Sequence, residues 1–250
     1  MWQAVIGVLK PGAHLLAFGG TRTYHRMVVN IEDAGFEIRD QLVWLYGSGL
    51  PKSKDLNDGM GTALKPAMEP IVLARKPLSE RNVTANVRKH GTGGLNIDAC
   101  RIGTDQIRTY HSAFLKYSGQ NRRPWHDRHV NHTSKHTGRF PANVLIDEET
   151  TTVLDSEPHP TKGGASRFFY CAKASKSEKG DAKHPTIKPL ALMRYLCRLV
   201  TPSQGRILDP FGGTGTTKEA AHLEGFDCTV IERERKHIAD ITKRMRKHEV

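Results

Sequence analysis

At 250 residues the chain is long enough for one large domain, or for one domain carrying an insertion. Its apolar fraction is 37%, no stretch approaches the ~20 apolar residues of a membrane-spanning helix, and the four scattered cysteines, Cys100, Cys171, Cys197 and Cys228, offer neither a zinc spacing nor a disulfide framework. The formal net charge of +12 favours a polyanionic partner, although a generically basic soluble protein has the same balance.

Residues 1–9 read as the end of an amphipathic helix. They lack the basic start and cleavage pattern of a signal peptide, so the expected location is the cytoplasm. Residues 10–13 form a turn. Residues 14–18, His-Leu-Leu-Ala-Phe, are a continuous apolar run of the kind found in buried parallel strands. A helix follows over 21–34, with Met27, Val28 and Ile31 on one side and Gly35 as its stop. Residues 36–46 alternate at first and then turn apolar, which suits a strand at a sheet edge with its core at 42–46, and 69–75 read as a strand antiparallel to it, with its core at 71–75. The expected sheet is therefore parallel and edged by one antiparallel strand.

Residues 81–137 show no sustained periodicity. From Arg81 to Arg139 there are eleven Lys or Arg against three acids, with Tyr110, Phe114, Tyr117 and Trp125 interspersed. Basic residues among aromatics suit nucleic acid, and Arg122, Arg123 and Arg128 are the candidate phosphate contacts. His126, His129, His132 and His136 match no metal-ligand spacing and read as solvated or phosphate-facing, so no metal is expected. Apolar returns follow at 138–146 and 167–171, then a lysine-rich loop over 173–183. A helix spans 188–200, with Leu192, Leu196 and Leu199 at helical spacing. A strand over 206–208, a glycine turn, a helix over 218–223 and a strand over 229–231 come next. The chain closes on a basic helix over 235–247, with Ile238 and Ile241 on its buried side and its charges on a solvated face. Cys197 and Cys228 are assigned to core packing.

The chain is organised around residues 206–217. A short apolar strand reaches Asp209-Pro210, and Gly212, Gly213 and Gly215 then lead into a helix. Glycines let the backbone bend and a ligand approach closely, and a helix start adds free N–H groups. The spacing is neither a dinucleotide fingerprint nor a P-loop, and a plain strand-to-helix turn is the ordinary reading of such a run.

Asp-Pro-Phe-Gly-Gly-Thr-Gly-Thr-Thr over 209–217 resembles the S-adenosylmethionine loop of amino-group DNA methyltransferases. His-Pro-Thr-Ile-Lys-Pro over 184–189 is similar to the family segment just upstream of that loop, and Ile231-Glu232 to the acidic end of the next strand. Leu-Leu-Ala-Phe-Gly-Gly over 15–20 resembles the family's fifth strand, and 44–49 with 64–76 its terminal hairpin, particularly in phage-encoded members. The order of the motifs resembles the permuted β group. The resemblance covers roughly residues 1–80 and 138–250. It implies an α/β, permuted Rossmann-like fold in three parts: residues 1–80 as part of the catalytic subdomain, 81–183 as a target-recognition insertion that binds double-stranded DNA, and 184–250 as the cofactor-binding subdomain.

The resemblance also implies roles. Glu232 accepts the ribose hydroxyls, as an acid about 20 residues beyond the loop does in dinucleotide folds; a surface strand-end acid is the alternative. Asp209 and the backbone of Phe211, Gly212, Gly213, Thr214 and Gly215 face the methionine portion, and Phe211 covers an apolar part of it. Thr186 and Lys188 bind the carboxylate, with a solvated helix-start lysine as the alternative for Lys188.

Family members hold the target amine with an Asp/Asn/Ser-Pro-Pro-aromatic motif, whose aromatic stacks on the flipped base. No Pro-Pro pair occurs in these residues, so the catalytic residues are unassigned. The expectation is a truncated or split adenine-N6 or cytosine-N4 methyltransferase that lacks the family's third and fourth strands, with the motif supplied by an N-terminal fragment or a second chain. The alternatives are a catalytically inactive DNA-binding relic and a methyltransferase for RNA or a small molecule.

Overall fold

A computed structural model describes residues 1–51, 53–111, 132–156, 164–172 and 188–248. The first half runs α1 (Trp2–Val8), β1 (His14–Phe18), α2 (Tyr24–Asp33), β2 (Glu37–Leu45) and β3 (Met68–Arg75). The middle adds α3 (Val83–His90), a hairpin of β4 (Ile102–His111) and β5 (His132–Arg139), then β6 (Val144–Asp147), α4 (Glu148–Ser156) and β7 (Tyr170–Ala172). The last part runs α5 (Leu190–Val200), β8 (Arg206–Asp209), α6 (Thr216–Leu223), β9 (Asp227–Val230) and α7 (Arg235–Met245). None of the described helices is long and apolar enough to cross a membrane.

The main sheet has the order β1-β3-β2-β6-β7. β3 is antiparallel to both β1 and β2, while β2, β6 and β7 are mutually parallel neighbours. Four strands thus run one way and β3 alone runs against them. The antiparallel strand is therefore not the edge that the sequence suggests, and β2 is interior, between β3 and β6. The physical reason lies in β3 itself. Its run from Pro70 to Arg75 is buried throughout. Ile71 and Leu73 join one apolar cluster, whereas Val72 and Ala74 join another on the opposite face. A strand apolar on both faces belongs inside a covered sheet.

The first cluster is roofed by α5, whose Leu192, Tyr195, Leu196 and Leu199 pack over Leu42, Ile71, Leu73 and Leu145. The second is closed by Ile31 of α2 and Phe36, with Trp2, Val5 and Ile6 of α1 against it. Met27 and Val28 lie on the same inward side of α2, as their spacing requires. The other edge of α5 packs on α6. There Arg194 and Arg198 both grip Glu224, at 2.6 and 3.0 Å. β8 and β9 pair in parallel as a separate two-stranded sheet beside α6.

Residues 81–137, which show no periodicity in sequence, contain a capped helix and most of a hairpin. Asn82 accepts the Ala85 N–H at 2.9 Å and starts α3, and Gly91 at φ +76° ends it. The side chain of the buried Asn86 then ties α3 to the chain before β1, donating to the carbonyl oxygens of Pro11 and Thr92. Farther on, β6 and β7 extend the main sheet, so the stretch 81–183 contributes to the core as well as to the hairpin. Of the two cysteines assigned to packing, Cys197 is buried and Cys228 half-buried.

Leu196 is 1% exposed at the centre of the α5 contact. Leu196→Ala should cost about 2–5 kcal/mol of unfolding free energy, from the forfeited transfer energy plus a cavity. Val8→Ala, on a side chain 71% exposed, should stay within about 0.5 kcal/mol. Urea titration of the two variants checks both.

Candidate functional site

The site is built where β8 ends. Its ladder with β9 runs to Asp209 opposite Val230. It continues one step beyond the strands, because Ile231 N–H donates to the Asp209 carbonyl at 2.8 Å and Gly212 N–H to the Ile231 carbonyl at 2.9 Å. The Asp209 side chain turns the chain out of the strand by accepting the Phe211 N–H at 2.9 Å. Gly215 donates to the Gly212 carbonyl at 2.8 Å and starts α6 at φ +83°, a left-handed conformation that glycine adopts without a Cβ penalty.

Glu232 stands just past β9 and reaches back to this turn. One carboxylate oxygen accepts the Gly213 N–H at 2.7 Å, and the other accepts the Glu234 N–H at 2.8 Å. The backbone N–H of Glu234, and then that of Gly213, hold its carboxyl below the usual glutamate range. The turn is open in front of Gly213, which sits at φ +51°; the nearest atom to a Cβ there would be the Phe211 carbonyl oxygen, 3.9 Å away. Phe211 itself is 64% exposed. Asp209, Phe211, Gly212, Gly213, Thr214, Gly215 and Glu232 are thus brought together, at the carboxyl ends of two parallel strands, where open α/β sheets place their ligands.

Lys188 is placed differently. Its ammonium pairs with Glu69 of β3 at 2.7 Å and lies 4.9 Å from the ring centre of Phe18 and 5.9 Å from that of Trp44. These contacts tie it to the main sheet. Thr186, Arg122, Arg123 and Arg128 lie outside the described residues, as do His126 and His129 of the histidine run. His136, on β5, is hydrogen-bonded to Ser134 at 2.7 Å.

Two features escaped the sequence reading. In the hairpin, Gln106 faces Thr137 and Arg108 faces Lys135 directly across the strands, and all four are exposed. Like charges in that position repel, so the ribbon exposes a pair of neighbouring positive charges at Arg108 and Lys135. Behind the turn, Arg244 of α7 points inward beside Ile241, which the sequence does place on the buried side of the helix. In sequence Arg244 is one cation among many in a basic helix; only its spacing of three from Ile241 hints at a shared face. Ile238, by contrast, is 45% exposed, not buried.

A family model described as DNA methylase matches residues 1–244. Type II methyltransferase M.HindIII of Haemophilus influenzae is 24% identical over 242 residues, covering 88% of this chain and 60% of that protein. The chain therefore spans less than two thirds of that curated relative. Two solved structures share the fold. PvuII DNA methyltransferase (cytosine-N4-specific) has a TM-score of 0.53 at 15% identity, covering 97% of this chain and 67% of its own. The M1.HpyAVI–SAM complex has a TM-score of 0.50 at 16% identity, covering 98% and 80%.

The Glu232 latch has a definite pH signature. A carboxyl whose pKa is lowered by folding contributes stability above its unfolded value, near 4.3, and loses it only as pH falls through the lowered folded value. The NMR shift of the Gly213 amide should therefore hold steady from neutral pH through the ordinary glutamate range and move below it. In Glu232→Gln that titration should vanish.

Proposed function

The chain belongs to this DNA methylase family, and from that premise we propose that it is the cofactor- and DNA-binding part of an S-adenosylmethionine-dependent methyltransferase acting on an exocyclic amine of DNA, adenine N6 or cytosine N4. The observation that carries this reading is the open glycine turn latched to Glu232 at the ends of β8 and β9. The residues suit the cofactor. Each Glu232 oxygen takes one backbone N–H and retains a lone pair for a ribose hydroxyl. Gly213 leaves room for close approach, and the exposed Phe211 ring offers an apolar cover. Asp209 and the backbone of residues 211–215 face the methionine portion. Bound there, S-adenosylmethionine supplies an electrophilic methyl group on a sulfonium. Thr186 and Lys188 are proposed for the carboxylate; Lys188 would exchange the Glu69 carboxylate for it or share both.

Methyl transfer depends mainly on holding the amine in line with the methyl group. The 250 residues contain no Pro-Pro pair to supply the family's amine-holding motif. Among the described residues, β1 pairs only with β3, and β8 only with β9. Both observations support a divided activity, in which another segment of the polypeptide or a second chain brings the motif and its strand. The same observations favour, as a second reading, a relic that binds DNA without catalysing transfer.

The exposed Arg108–Lys135 pair supports double-stranded DNA as the partner, because phosphates relieve its repulsion and a two-stranded ribbon fits the major groove. Arg122, Arg123 and Arg128 are proposed as further phosphate-binding side chains. Their joint neutralisation should lower the salt slope of DNA binding by up to about 0.9 for each phosphate that they neutralise. An unchanged slope in fluorescence anisotropy would remove them from the interface.

Calorimetry should show weak S-adenosylmethionine binding, weakened further in Glu232→Ala. Transfer of labelled methyl groups to unmethylated DNA should be slight for this chain alone. Adding a fragment that carries the amine-holding motif should restore it. Robust transfer by the 250 residues would show that another residue holds the amine, and no transfer with the fragment present would favour the relic.

A further inference from the structure

The rear of the glycine turn is closed by α7. Ile241 packs against Gly212 and Gly215 so closely that a Cβ on Gly215 would lie 3.0 Å from its side chain and 3.2 Å from its backbone. Arg244, three residues on and therefore on the same helical face, reaches the turn itself. Its Nε donates to the Thr214 carbonyl at 2.9 Å, and a terminal nitrogen pairs with Glu219 at 2.5 Å. Both side chains are nearly enclosed, at 14% and 9% exposure. The other Glu219 oxygen lies 3.0 Å from His248 Nε2, just beyond α7.

Each contact falls on a different part of the turn. Thr214 is buried, and its carbonyl precedes the cap of α6. Glu219 is in α6 itself, where its N–H closes on the Gly215 carbonyl at 3.0 Å. Arg244 therefore holds the last peptide of the turn and the helix that follows it with one planar group, a geometry that a point charge such as lysine does not reproduce. Burial favours the neutral form of Glu219, yet hydrogen bonds from His248 and Arg244 hold its pKa below the ordinary value.

We propose that Arg244 is a positioning residue of the cofactor turn. Through the Thr214 carbonyl and Glu219, it sets the conformation of residues 212–215 and so the affinity of the chain for S-adenosylmethionine. The inference rests on the reading that this turn holds that cofactor. A purely structural ion pair would instead raise overall stability and leave the turn as it is.

The test compares the whole chain with Arg244→Ala, Arg244→Lys and Arg75→Ala. Arg75 pairs with Glu37 at 2.6 Å in the main sheet, and its loss lowers stability away from the turn. S-adenosylmethionine binding is measured by calorimetry, amide exchange of residues 209–217 by mass spectrometry, and Tm by calorimetric melting. Arg244→Ala should weaken binding about tenfold or more and speed exchange across the turn. Arg244→Lys should recover part of the Tm but not the affinity. Arg75→Ala should lower Tm with unchanged affinity and unchanged exchange in the turn. The proposal fails if folded Arg244→Ala or Arg244→Lys binds as the parent does, or if Arg75→Ala weakens binding equally. Should the parent bind no S-adenosylmethionine, the cofactor reading fails instead. The exchange measurement then decides the positioning role, with faster exchange in the Arg244 variants supporting it and unchanged exchange ending it.

Discussion

The structure depends on one helix packing in two directions. The apolar face of α5 covers the main sheet through Leu192, Tyr195, Leu196 and Leu199. Each such buried side chain contributes about 1.5–3 kcal/mol. Its arginines face the other way, and Arg194 and Arg198 share the carboxylate of Glu224, which is only 8% exposed. A buried carboxylate is tolerable only when paired, so Glu224 holds the end of α6 against α5. α6 begins at the glycine turn. The sheet that carries Phe18, Trp44 and Glu69 is thus joined through α5 to the candidate cofactor site.

The turn itself is balanced between two charged partners. Glu232 accepts the Gly213 N–H in front of it, and Arg244 donates to the Thr214 carbonyl behind it. Opposite charges satisfy an N–H and a C=O of the same short turn, which keeps these backbone groups paired. Gly212 and Gly215 bring the backbone against Ile241, while Gly213 faces open space. Small residues here serve packing on one side and access on the other.

The central stretch of the chain divides its work along similar lines. β6 and β7 carry Leu145, Ile146 and Ala172 into the core, and Tyr170 stacks on Tyr195 of α5 with ring centres 4.0 Å apart. The described part of the hairpin instead exposes Gln106, Arg108, Lys135 and Thr137. Its base is fastened by the Arg139–Asp105 pair and by Arg101, which bonds Asp98 and the Gly138 carbonyl. A polar ribbon rooted in an apolar sheet can present charge to a partner without exposing the core.

By itself the sequence determined the local elements and the front of the site. The apolar run at 14–18 is β1 to the residue, and the glycine turn with its acid beyond the next strand is legible because those residues act through nearby backbone. Tertiary structure alone decided what meets at long range. β3 lies inside the sheet because its two faces meet different clusters, although its unbroken apolar run carried a hint of this. Lys188 is drawn to Glu69, 119 positions away. Arg244, one cation in a basic helix, meets the glycine turn only when α7 folds against Gly215. Local periodicity records which face of an element is apolar, whereas the choice of partner for a charge or a strand edge depends on neighbours that only the folded chain supplies.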